Sequence, residues 1–121
     1  MQDVLIPEKG WIELLGNIKI PAKQGLLFSS IGKIAIFFGR KEVPDIFKLM
    51  YTQPRVFWSW LYFASRMMPY GKLSSREREI IILRVGWLCR CRYEWGQHVE
   101  IGLRSGLEDQ DIIHIAKGVD A

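Results

Sequence analysis

Cysteine is scarce in this chain: 121 residues hold only Cys89 and Cys91, one residue apart. A small secreted domain stapled by disulfides needs several separated pairs, so that class is excluded and reduced thiols in a cytoplasmic setting are expected. A run of Lys or Arg is also missing. The net charge of +4 is spread along the chain, which argues against a nucleic-acid-binding arm. The longest apolar tract near the start, 25–39, is broken by Ser29, Ser30 and Lys33. It falls short of the ~20 residues that a membrane-spanning helix needs. The opening MQDVLIPEKGWIELL lacks the basic-then-apolar order of a signal peptide. No segment alternates with period two between turn signals, so strands are not expected. What remains is an all-α domain.

Aromatic residues are plentiful instead. Five Trp, six Phe and four Tyr are a heavy load for so short a chain, which buries a limited share of its surface by itself. A partner or a second copy that covers some of these rings is therefore expected.

Residues 1–22, punctuated by Pro7, Gly10, Gly16 and Pro21, read as an irregular arm. Its apolar positions, Trp11 among them, suit packing on a neighbouring surface. Residues 23–121 read as one helical domain. Leu26, Leu27, Ile31, Ile34, Phe37 and Phe38 recur at helical spacing over 24–39, and a packing or subunit-interface helix is preferred there to one lying on a membrane. Pro44 and Pro54 suit the first turns of helices over about 45–51 and 54–68. The second is apolar nearly all round, which predicts burial between neighbours.

Ser74 followed by Glu77 forms a capping-box pattern before the apolar run 80–88. This helix is expected in the middle of the fold, with Glu79 at the edge of the interior and Arg84 ion-paired to Glu77. Gly106 ends a helix over about 93–105, and Gly118 stops a last one over 108–117. His114 sits in that last helix and receives no role.

The chemistry concentrates in LSSREREIIILRVGWLCRCRYEWGQHVEIGLRSG. Glu94 and His98 are four apart and share a helix face. Cys91 is three before Glu94 and seven before His98, so the three are expected on one stripe. A thiol, a carboxylate and an imidazole so placed suit a nucleophile with a general base. Cys91 also falls near a helix start, between Arg90 and Arg92, where a thiolate is favoured. Glu79 joins them only if the chain reverses around 89–91. The path up one helix, about 15 Å, and back down the next, about 10 Å, then leaves Glu79 and His98 nearly level on helices some 8–10 Å apart. A metal site is not expected, because C-x-C-x6-H matches no common structural zinc spacing. Glu79 as a helix-start charge and His98 as a structural partner of Glu94 are the plain alternatives. Cys89 reads first as a buried core thiol.

These residues, with the upstream VPDIFKLMYTQPRVFWSWLYFASRMMPYGKLSSRERE, resemble the carboxymuconolactone decarboxylase family, which includes the alkylhydroperoxidase D proteins. The resemblance covers about residues 40–118. It implies a cofactor-free helical domain that assembles into trimers or hexamers and acts on a small substrate, either a peroxide or a small organic acid or lactone. In the peroxidase branch the motif is a Glu, then Cys-x-x-Cys, then a His four after the second Cys. Glu79, Cys91 and His98 match the Glu, the first Cys and the His. Glu94 occupies the position of the second Cys, the one that attacks peroxide, and Cys89 is left as a possible resolving thiol. Because residues two apart on a helix point to nearly opposite sides, a Cys89–Cys91 disulfide requires a non-helical chain there. The decarboxylase branch implies acid/base work by Glu79, Glu94 and His98 on a lactone or keto acid, with Arg84 or Arg92 to hold a carboxylate. The family domain ordinarily continues past GVDA with further helices, so its C-terminal part is expected to be absent here. A non-catalytic oligomerising or membrane-associated module is the remaining alternative.

Overall fold

Proline and capping residues set most of the helix starts. In the computed structural model, which describes Trp11, Gly25, Ser29, Ser30 and residues 45–68 and 70–119, five longer helices follow one another. They are α1 (Asp45–Met50), α2 (Pro54–Met67), α3 (Ser75–Leu88), α4 (Arg92–Arg104) and α5 (Asp109–Lys117), with no strand among the described residues. Ser29 and Ser30 are helical. The rest of the helix expected over 24–39, and the arm over 1–22 apart from Trp11, lie outside the described residues.

The chain divides into two compact units. One runs from residue 17 to 70; the other joins residues 1–16 to 71–121.

In the first unit Pro54 occupies the opening turn of α2, where its missing N–H costs nothing. Phe57 is fully buried and meets the rings of Phe47, Tyr51 and Trp58 edge-on, at 5.2–6.1 Å between centroids. The all-round burial expected of α2 is not found. Phe57 is its one buried residue, whereas Val56, Trp58, Tyr62, Phe63 and Met67 are exposed. An apolar pattern records what a helix requires as cover, and among the described residues only one face of α2 is buried.

The second unit carries the core: Leu83, Trp95, Leu107, Ile112, Ile115 and Ala116, with Trp11, Ile80, Trp87 and Val99 packed against it. Trp11, from the expected arm, lies edge-on to Trp87 and Trp95 at 5.0 and 6.1 Å. Ser74 and Glu77 close the expected capping box, each side chain accepting from the other's backbone N–H. Glu79, Leu83 and Gly86 form the buried face of α3, while Ile81, Val85 and Leu88 are exposed. This helix is therefore covered on one side, not surrounded as expected.

Arg84 departs from the expected ion pair. Glu77 is held by the capping box, and the Arg84 guanidinium instead donates from Nη1 to the carbonyls of Ile115 and Ala116 at 2.9 and 2.8 Å. The last carbonyls of α5 have no helical partner of their own and carry the negative end of its dipole, which makes them good acceptors for a cation. Arg76 adds a second link between α3 and α5, at 3.0 Å from Asp111.

Candidate functional site

The site depends on how α3 ends. Leu88 is the last helical residue and Cys89 the cap, after which Arg90 takes a left-handed conformation with φ +53°. The Arg90 N–H then bonds the Trp87 carbonyl and the Cys91 N–H bonds the Gly86 carbonyl, both at 3.0 Å. That pair of bonds is a Schellman closure, which reverses the chain and satisfies carbonyls that would otherwise be orphaned. α4 closes in the same way: the Gly106 N–H bonds to Leu103 and the Leu107 N–H to Gly102, and Gly106 has φ +91°. Glycine occupies the left-handed position there without strain, whereas at the end of α3 an arginine holds it.

The break around 89–91 thus exists, and α3 and α4 pack side by side. Gly86 faces this contact. A Cβ at Gly86 would lie 3.5 Å from the Trp95 backbone nitrogen and 3.7 Å from Glu94 Cγ.

The pairing brings Glu79 against His98. Nδ1–H of His98 donates to Glu79 Oε2 at 2.6 Å, and Nε2 faces Glu94 Oε1 at 3.3 Å. Glu79 is fully buried, deeper than the edge position expected from its place in the first turn. His98 is buried too, while the Glu94 side chain is 43% exposed. Burial works against a charged imidazole, but hydrogen bonds and charge from Glu79 and then Glu94 outweigh it and raise the His98 pKa to about 9. At neutral pH the ring is an imidazolium between two carboxylates. One of these is sealed in the interior and the other reaches solvent.

Arg78 belongs to this cluster and is not singled out by spacing. Its side chain is 13% exposed, and its Nε lies 3.6 Å from Glu79 Oε1. Both atoms are buried without a hydrogen bond among the described residues, an arrangement that costs on the order of 1–3 kcal/mol per group if left dry. Neighbours in sequence on a helix do not normally face each other. The only signal in the sequence is an arginine beside the glutamate in the helix's first turn.

The thiols are placed differently from the expectation. Cys91 caps α4 with ψ 97°, outside the helical region, so it does not continue the stripe that Glu94 and His98 share. Among the described residues no hydrogen bond joins its Sγ to Glu79, Glu94 or His98. Cys89 is exposed, not a core thiol, because the turn carries it out of the helix pair. Both cysteines are free, and the backbone between them is non-helical, as a disulfide between them would require. Among the described residues no group of three or more His, Cys, Asp or Glu side chains is arranged to hold a metal ion.

Fold and site together define an all-α protein built on a helix hairpin, with a Glu–His–Glu proton-holding cluster across the hairpin and a pair of thiols at its turn. The chain belongs to the carboxymuconolactone decarboxylase family, which residues 54–121, more than half its length, match. No curated protein and no solved structure matches it. Among the described residues no helix is long and apolar enough to cross a membrane.

Proposed function

We propose that this protein is a thiol-dependent peroxidase of its family, with Cys91 as the attacking thiol and Cys89 as the resolving one. The observation that carries the reading is the non-helical turn at 89–91, which holds two free cysteines directly before the helix that bears His98. The Cys91 thiolate attacks the outer oxygen of a hydroperoxide, ROOH. The O–O bond breaks, sulfur is oxidised to a sulfenic acid, and the departing alkoxide takes a proton and leaves as ROH. His98, already protonated, enters as the acid that supplies this proton, directly or through water. Glu79 and Glu94 keep the ring charged, and Glu94, which reaches solvent, returns a proton to it. The Cys89 thiol then attacks the sulfenic sulfur, forms the Cys89–Cys91 disulfide and releases water; an external dithiol restores both thiols. Free thiols of this kind suit a reducing compartment such as the cytoplasm.

One observation favours a second reading. The Glu79–His98–Glu94 cluster is joined through the imidazole without any thiol, which suits acid/base work on a small lactone or keto acid. Consumption of an alkyl hydroperoxide with a dithiol donor separates the two. The thiol route requires Cys91→Ser to be inactive, and Cys89→Ser to stop after one turnover with a sulfenic acid that dimedone traps. Activity equal to the parent in both variants removes the thiol route and leaves the acid/base one.

Self-association is part of the proposal. Ile81, Val85 and Leu88 form an exposed apolar stripe along α3, and a second copy of this chain is the simplest cover for it. Light scattering after size exclusion, with Val85→Glu as the comparison, decides the matter.

A further inference from the structure

Arg76, Ile80 and Arg84 recur every four residues on α3, and with α5 they line an open groove of about 400 Å³. That volume falls in the range of small-molecule sites. The groove stands apart from the Glu79–His98 cluster, neither residue of which lines it.

Its polar lining is unevenly committed. Arg76 is engaged by Asp111 at 3.0 Å, which also neutralises the one carboxylate that faces the space among the described residues. His114 Nε2 faces Gln110 at 3.1 Å. Arg84 has a different arrangement. Nη1 is fixed on the Ile115 and Ala116 carbonyls, so the guanidinium is held in place by a helix end. Its Nε and Nη2 make no hydrogen bond among the described residues. Gly118 keeps room for this group. Its φ is +89°, and a Cβ there would collide with Arg84 Nη2 and come within 2.9 Å of Cζ. Ile80, Ile115 and Val119 supply apolar lining.

A half-buried guanidinium pinned at one nitrogen, with an adjacent N–H edge uncommitted, matches a carboxylate's two oxygens side by side. The apolar lining suits a short hydrocarbon body. We propose that this groove is a binding site for a small organic carboxylate, held by the Nε–Nη2 edge of Arg84 with its carbon chain against Ile80 and Ile115. The inference does not depend on the peroxidase reading.

The test is an NMR titration of the isotope-labelled full chain with hexanoate, using hexanamide as the uncharged twin. Saturable shifts centred on Ile80, Ile115 and Gly118 are expected with hexanoate and not with hexanamide. Arg84→Lys keeps the charge but loses the fork and is expected to weaken binding by about tenfold or more. Because Arg84 also supports α5, a second variant is needed that leaves the packing alone. Val119, fully exposed, serves: Val119→Trp fills the groove from outside and is expected to abolish the shifts. His98→Asn is expected to leave them unchanged. Equal binding of hexanoate and hexanamide, shifts without saturation, or loss of binding in His98→Asn with Val119→Trp unaffected would overturn the site.

Discussion

His98 Nδ1 lies 2.6 Å from Glu79 Oε2 across 19 residues of sequence, and the contact exists because α3 stops at Leu88 and α4 restarts at Arg92. A buried carboxylate that reaches an imidazole this closely favours the ring's charged form, and the consequences are measurable.

The first is pH dependence. The His98 pKa rises from 6.5 to about 9 in the folded chain, so its contribution to stability is full below about 6.5 and is lost as pH rises through about 9. A shift of this size corresponds to roughly 3 kcal/mol at most, at 1.36 kcal/mol per unit. NMR titration of the His98 ring, beside urea unfolding at several pH values, should show both the raised midpoint and the alkaline loss. In His98→Asn the loss over this window should flatten.

The two carboxylates should not be equivalent. Glu79→Ala leaves His98 without its buried counter-charge, and breaking a buried pair of this kind costs about 3–5 kcal/mol. Glu94 is 43% exposed, and Glu94→Gln should cost no more than about 1 kcal/mol, the range of solvent-screened pairs. Thermal unfolding at neutral pH orders the two, and a Glu94 variant as damaging as the Glu79 one would contradict this account.

Arg90 is the only non-glycine residue with positive φ among those described. Arg90→Gly relieves a left-handed conformation worth about 1–2 kcal/mol and gives back up to about 1 in chain entropy, so a small net stabilisation is expected. Gly106→Ala, at the matching position of the next helix, should destabilise by about 1 kcal/mol. Melting temperatures of both variants should move in opposite directions.

Trp11 sits at 5.0 Å from Trp87 and 6.1 Å from Trp95. Trp11→Ala should cost about 0.5–1.5 kcal/mol per aromatic pair lost, beyond the apolar area it uncovers. It should also shift the emission of Trp87 and Trp95, two of the four tryptophans left, to the red. Unchanged emission would mean that this contact is not formed in solution.

The helix starts were readable because the physics is local. Pro54 and the Ser74–Glu77 box each satisfy or remove donors within one turn of themselves. The end of α4 was equally plain in Gly106. The end of α3 was harder: Arg90 is not a residue that announces a left-handed turn, so the reversal could be inferred only from what it would bring together. Reading Cys91 as helical placed it on the stripe of Glu94 and His98, and its capping conformation removes it from that stripe. Cys89 reads as a core thiol because free cysteines are usually buried, and only the turn decides that it faces solvent.

Spacing and capping chemistry therefore determined an all-helical chain, the start of α3 and the pairing of Glu94 with His98, since each depends on neighbours within a turn or two. Tertiary structure alone decided that Glu79 is sealed against His98, that Arg78 stands beside it, and that Arg84 serves the end of α5 and not Glu77. Those outcomes depend on which helix faces come to lie together, and burial then sets the charge each group can carry.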